Sequence, residues 1–532
     1  MGKRAEKFVR AKAFTSIVTS IVGDEHALAL IPRTCDPRPR GEFTALLEQL
    51  ASRLPSPTYL PKDLFSGFCT WANDPNRDLP GALRTAIQAR NRAVQCRRTT
   101  IRLFVQALSG IKPLDEPLKA YWLNKNANSV RVKALEASEV YPEFDTWVAE
   151  SLQIRVCWTR AIEEGKQADR RHKRHPIERE EAERLAYEVR ENENVVFRDI
   201  DTGEIIMIVL RNFCRDALVV EGVNATMELA LAMRKSVRLE DPGKIVNLGY
   251  TAGARNHPLF DWTKNLKSKK HDPDDLKDIN FEISSVFALF WALLRVHLPQ
   301  EVLRGFEDYL ADNDMCRMDA DEKRGNVEGE YVVHESSLEA SSSRHRLALL
   351  DHDATTPGMF NCSSGLQFLT ARCRAIHNEK QPQKWAFSWT TKRDPQMKRG
   401  GQFYLAKYGI KVRQAANTMV AWQPEHAHGT SLLPGGLPRR ELRESSEAPI
   451  LQAGLAFVTS TCLASTWKSY LKHKDAERAK AEYMQSAEDD VAAANAERDM
   501  LAEQLESLKE LNDLPPLTGD YPCSDDVCAV CS

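Results

Sequence analysis

Residues 375–433 read AIHNEKQPQKWAFSWTTKRDPQMKRGGQFYLAKYGIKVRQAANTMVAWQPEHAHGTSLL. A histidine with a carboxylate two residues on, His377 and Glu379, stands near the start, and His428 in HAHGT stands near the end. Between them, short apolar runs are separated by turn residues: WAFSWTT, then Gly400-Gly401, then GQFYLAKYGIKV broken at Tyr408-Gly409, then NTMVAW. Such runs predict strands and hairpins rather than helices. Two glycines in sequence predict positive φ where the chain turns back.

Two histidines and one carboxylate form the donor set that holds non-haem Fe(II) on one face and leaves positions open for other ligands. The set is weak evidence alone, because His-x-Glu arises often by chance and a lone histidine is commonly a satisfied core residue. Its setting strengthens it. A double-stranded β-helix (jelly-roll) puts two such histidines on different strands at one open end, with the carboxylate on the turn after the first. The hairpin-rich run between His377 and His428 suits that geometry. The expected fold class is therefore α+β, a β-helix core with supporting helices.

Working outward, VVFRDIDTGEIIMIVLRNF (residues 195–213) has two β-rich runs around Asp201-Thr202-Gly203 and predicts a hairpin. INFEISSVFALFWALLRVHLP (279–299) is the most apolar stretch, but Glu282, Arg295 and His297 interrupt it, so it predicts a buried helix rather than the roughly 20-residue span of a membrane. APILQAGLAFVTSTCL (448–463) predicts a closing strand. We expect a mainly helical region with a basic linker over 1–192, the β-helix domain over 193–470 with a polar insertion at 312–345, an amphipathic helix over 471–510, and a cysteine-bearing disordered tail over 511–532.

In the 532-residue chain a formal charge of -2 conceals local segregation. The helical stretch at 78–108 is arginine-rich, KNLKSKK (264–270) is a basic loop, and RRHKRH (170–175) has the composition of a nuclear-import signal, though equally of a solvated linker. The twelve cysteines are too sparse for a disulfide framework. Cys523, Cys528 and Cys531 are one short of a closed zinc site. The N-terminal apolar run is broken by Thr15, Ser16, Thr19 and Ser20, which argues against a signal peptide. These features predict a nuclear or cytoplasmic protein, not secreted and not in a membrane. Val491, Ala494, Leu501, Leu505 and Leu508 give the C-terminal helix an apolar stripe suited to self-association.

The run HNE, then GGQFYLAKYGIKV, then NTMVAWQPEHAHGTSL, then QAGLAFVTST resembles the fungal branch of the TET and J-binding-protein nucleobase dioxygenases. The resemblance covers residues 195–470 and is strongest from 376 to 460. It implies an Fe(II)- and 2-oxoglutarate-dependent enzyme that oxidises the methyl group of 5-methylcytosine or a related base in DNA. It implies His377, Glu379 and His428 as metal ligands and catalytic centre, with His426 the competing choice for the second histidine. Two departures stand out. Glu379 occupies a position where the family has aspartate, and the last strand carries Gln452 in place of the arginine expected to grip the far carboxylate of 2-oxoglutarate. Arg439, Arg440 and Arg443, in the loop before that strand, are the candidate substitutes. Asn378, Trp389, Lys392 and Arg393 are candidates for substrate contact, with Trp385 and Trp422 as further aromatic walls and Lys398 and Arg399 as further phosphate contacts. Because of the departures, a catalytically degenerate β-helix that binds nucleic acid or protein is the alternative, as is a dioxygenase of another substrate.

Overall fold

The structure is a computed structural model that describes residues 14–34, 37–54, 64–111, 116–164, 175–233, 244–254, 257–262, 273–313, 332–335, 345–348, 366–370, 373–434, 451–457 and 459–473. It is a mixed α and β architecture that divides into two units, Met1–Trp467 and Lys468–Ser532. Of the second unit only 468–473, a helical run, is described. The expected stripe over 471–510, the tail cysteines, the KNLKSKK loop and most of the 312–345 insertion therefore lie outside the described residues, as do Arg170 to Arg174 of the basic run.

Eight strands surround the site: β1 (Leu366–Thr370), β2 (Arg374–His377), β3 (Ala386–Arg393), β4 (Phe403–Leu405), β5 (Ile410–Val412), β6 (Thr418–Trp422), β7 (His428–Thr430) and β8 (Gln452–Phe457). They divide between two sheets. The larger contains the order β6-β3-β8-β1 and the smaller β2-β7-β4-β5. Both sheets are extended by earlier chain. On the larger sheet, Asn128–Val132, Val195–Asp199 and Ile205–Arg211 continue beyond β6, while Lys244–Leu248 pairs with β1. On the smaller, Tyr187–Val189 runs parallel to β5.

The hairpin of Val195–Asp199 and Ile205–Arg211 forms as its β-branched residues predict. Asp199 makes its turn by accepting from the backbone N–H groups of Asp201 and Thr202, and Gly203 supplies a φ of 73°. The domain boundary expected at 192 is not there. Asn128–Val132 pairs residue for residue with Val195–Asp199, so the sheet begins upstream, and beyond Asn126 residues 127–192 hold the strands Asn128–Val132, Trp147–Ala149, Ile177–Arg179 and Tyr187–Val189 as well as a helix at Leu152–Glu163. NSVRV is too short, and too broken by Arg131, to read as a buried strand.

Among the helices, α1 (Gly81–Ser109) packs on the N-terminal helices through Leu83, Ala86 and Ile87, in a core with Phe14, Ile21, Phe43 and Phe68. Then come α2 (Leu152–Glu163), α3 (Ala217–Ala232) and α4 (Pro273–His297). The apolar stretch read as a buried helix is α4. Its Phe290 and Trp291 cover the outer face of the larger sheet, against Phe387, Trp389 and Phe457. Burying such rings contributes about 1.5–3 kcal/mol each and fixes which face of β3 and β8 points to the helix. No single described helix is long and apolar enough to cross a membrane.

Candidate metal centre

The antiparallel pair β2–β7 brings the two histidines together. His377 lies directly across from His428, and Arg374 across from Thr430. Three residues separate the first members of these pairs and two the second, so β2 carries one extra residue, a β-bulge. Without the bulge, strict alternation would put Arg374 and His377 on opposite faces. With it, Arg374 reaches past the histidine, and its Nη1 donates to Glu379 Oε1 at 2.6 Å. The turn bearing Glu379 is fixed by its own N–H, which donates to the carbonyl of Pro424 at 2.8 Å.

One donor atom from each of His377, Glu379 and His428 lies within 4.8 Å of the others. Metal–ligand bonds of about 2.1 Å would set neighbouring donors about 3 Å apart, so closing on an ion takes a side-chain adjustment on the order of 1 Å. Each histidine bonds through Nδ1 to the carbonyl two residues before it, Ala375 and His426 respectively, both at 2.8 Å. That bond requires the proton on Nδ1 and leaves the Nε2 lone pair for a ligand. His377 Nε2 is buried and has no partner.

Protonation of the site follows from burial. Burial pushes His428 down to about 4. Burial, then His428 and Arg374, push His377 well below the ordinary histidine range. Burial alone would raise Glu379, but Arg374 and the two histidines outweigh it and hold the carboxyl below the usual range. At neutral pH the site thus presents two neutral imidazoles and a carboxylate. Glu379 Oε1 serves Arg374, while Oε2 faces Gln381 Nε2 at 3.4 Å and retains lone pairs for a cation. The residues fit a divalent metal of the N/O-preferring class.

Phe403 and Trp422 pack beside His428, with ring centroids 6.1 and 5.6 Å from it. The Trp422 Nε1–H is buried without a partner. The alternative histidine, His426, turns away to pack on Tyr408. Asn378 is exposed between the two β2-side donors.

The other expected contacts are placed differently. Trp389 is fully buried on the α4 side, its rings against Phe213 and Phe290 and its Nε1–H donating to Asn417, so it is a core residue and not a pocket wall. Lys392 points to α3, paired with Glu228 at 2.7 Å. Arg393 is buried, bonded to Gln452 and to the carbonyls of Met397 and Gly400, and cannot meet a phosphate backbone. Lys398 and Arg399 remain exposed. Arg439, Arg440 and Arg443 lie outside the described residues. Sequence reasoning missed Arg374, for which the only signal was its position three residues before His377.

No protein-family model matches the chain, and no curated protein matches it in sequence. Among solved structures, NgTET1 in complex with 5mC DNA is 13% identical with a TM-score of 0.32, covering 68% of this chain and 100% of that chain. The structure of OsALKBH1 is 13% identical with a TM-score of 0.22, covering 48% of this chain and 96% of that chain. At these scores the functional reading rests on strand order and donor geometry.

Proposed function

We propose that β1–β8 form a double-stranded β-helix and that the chain is an Fe(II)- and 2-oxoglutarate-dependent dioxygenase acting on the methyl group of 5-methylcytosine or a related base in DNA. One observation carries the reading: three donors of the facial-triad type converge at one end of two facing sheets, with both imidazole tautomers set by backbone carbonyls. The DNA-base substrate is supported by the motif resemblance from 376 to 460, and a nuclear location by the RRHKRH composition.

His377, Glu379 and His428 would hold the iron, which supplies the redox chemistry that couples 2-oxoglutarate decarboxylation to hydroxylation of a C–H bond. One atom of dioxygen enters the methyl group as hydroxyl, the other enters succinate, and carbon dioxide leaves. The protein's own part is positional. Burial keeps the imidazoles neutral, and the Nδ1 bonds keep them aimed. Phe403 and Trp422 wall the space beside His428, and the unpaired indole N–H offers a donor to a bound acceptor. Asn378, Lys398 and Arg399 are exposed and would supply polar and phosphate contact.

Anaerobic Fe(II) titration with 2-oxoglutarate tests the reading. The wild type should give a visible charge-transfer band that His428→Ala abolishes, and should convert 5-methylcytosine duplex to the hydroxymethyl product, with Glu379→Ala inactive. No band sinks the proposal. The Arg374–Glu379 ion pair favours a second reading, a degenerate domain whose carboxylate is neutralised by arginine instead of metal. It predicts duplex binding that persists without any band.

A further inference from the structure

The carboxylate of Glu379 is met at both of its oxygens. Arg374 Nη1 donates to Oε1 at 2.6 Å, and Gln381 Nε2 faces Oε2 at 3.4 Å. Behind Gln381 the contacts continue inward. Its Oε1 accepts from Gln383 Nε2 at 3.0 Å and from the backbone N–H of Thr459 at 3.3 Å. The same Gln383 nitrogen donates to Thr459 Oγ1 at 2.7 Å. Thr459 lies two residues past the end of β8, and both it and Gln383 are buried. A line of three side chains therefore runs from the candidate metal donor to the end of the last strand.

The polarity of that line is set by its two ends. An ionised carboxylate only accepts, so Gln381 must turn its amide nitrogen toward Glu379 and its carbonyl oxygen away. A backbone N–H only donates, and that of Thr459 meets the oxygen the first requirement put there. Stability alone does not account for the inner glutamine. Gln383 Oε1 is buried with no partner, and an unmet buried acceptor costs about 1–3 kcal/mol. A methionine would fill the same space without that penalty. What the amide does supply is a fixed orientation for Gln381.

Glutamate needs such a hold more than aspartate does. Its carboxylate stands on one more methylene and turns about one more bond, so more conformers compete with the one that meets His377 and His428. Each histidine is aimed by a backbone carbonyl two residues before it. The bond from the Glu379 N–H to Pro424 fixes the turn, not the carboxylate. Arg374 on one oxygen leaves the group able to swing about that contact, and a second donor on the other oxygen sets its plane.

We propose that Gln381, Gln383 and Thr459 are positioning residues for Glu379, an amide relay anchored at the end of β8 that holds the longer carboxylate where it can share an ion with the two imidazoles. The proposal rests on the metal-binding part of the dioxygenase reading. It makes metal affinity depend on three residues that touch no metal, and outer partners of this kind are worth about ten- to a hundred-fold in affinity.

Calorimetric titration of Mn(II) into the full metal-free chain tests the relay. Gln381→Met keeps the length and loses the donor, and should bind Mn(II) about ten- to a hundred-fold more weakly. Gln383→Met should weaken binding in the same direction while holding or raising the metal-free thermal midpoint, because the unmet oxygen is gone. A merely structural role predicts the reverse, a lowered midpoint with unchanged affinity. In a Glu379→Asp background, whose shorter carboxylate falls short of Gln381, the loss from Gln381→Met should nearly vanish. Wild-type affinity in Gln381→Met, or losses that add across the double variant, overturns the proposal. Unchanged affinity in Gln383→Met removes the inner glutamine from it. If the wild type binds no Mn(II), the dioxygenase reading fails separately. The relay is then judged on the metal-free chain by a urea-unfolding cycle of Gln381→Met with Glu379→Ala, where coupling upholds it and simple additivity overturns it.

Discussion

A histidine that serves a metal has to be neutral, with one nitrogen occupied and the other bare: burial keeps His377 and His428 neutral, and in each the carbonyl two residues back occupies Nδ1. In the turn before β4 stands a glycine whose role is steric. Gly400 sits at a φ of 84°, and a Cβ there would come within 2.6 Å of the Leu432 carbonyl oxygen. Gly400→Ala should therefore cost about 2–4 kcal/mol in urea unfolding, combining left-handed backbone strain with a clash that backbone cannot relieve. Trp389→Ala should cost about 3–5 kcal/mol, because a fully buried ring leaves a cavity against Phe213 and Phe290. It should leave Mn(II) affinity unaltered, and a lost metal site in a variant that still folds would contradict its placement in the core. The donors were legible in sequence because a facial set needs only residue type and strand separation. Trp389 and Arg374 were misplaced or missed for one reason: alternation gives two faces but not which is inner, and a bulge resets the count.

At the scale of elements, the connection between α4 and the larger sheet is both apolar and titratable. His297 closes α4, its Nδ1 bonded to the Leu293 carbonyl at 2.8 Å and its ring between Trp122 and Phe213. Burial lowers it to about 4, below the unfolded value near 6.5. The unfolded chain therefore takes up the proton first, so this stability is full above about 6.5 and is lost as pH falls toward 4, amounting to about 3 kcal/mol. His297→Leu should flatten the decline of the thermal midpoint between pH 7 and 4 relative to wild type. An unchanged slope would place the acid sensitivity elsewhere. The helix itself was readable from its apolar run. The histidine's burial was not, since periodicity cannot show which neighbours close over the last turn.

For the molecule as a whole, metal and fold should be linked. A divalent ion that binds only the folded chain stabilises it by about 2.7 kcal/mol at a hundred-fold excess over Kd. Mn(II) should raise the midpoint, a chelator should reverse the rise, and His428→Ala should show none. A second whole-molecule element is a buried charge cluster on the outer side of the smaller sheet. Lys411 bridges Glu180 at 2.8 Å and Glu150 at 3.6 Å, Tyr404 donates to Glu180, and Ser431 to Glu150. Two carboxylates share one ammonium, and burial foremost raises Glu150. Lys411→Met should cost about 3–5 kcal/mol by stranding them. None of this was visible in sequence, where Glu150, Glu180 and Lys411 lie far apart and each reads as an ordinary surface charge.

The strands that extend the two sheets have a further consequence. A sheet ends in a row of unpaired N–H and C=O groups that will pair with any chain offered. Here Tyr187–Val189 lies along β5, and Asn128–Val132 lies along the Val195–Asp199 hairpin strand, both in parallel. The upstream chain thus acts as a sheath. A fragment starting at 193 would bare β5 and a hairpin strand buried but for Arg198 together, and would be expected to recruit foreign or sister strands in place of its own. Full-length chain and this fragment should differ more in self-association than in secondary structure. The upstream peptide supplied in trans should quench the difference.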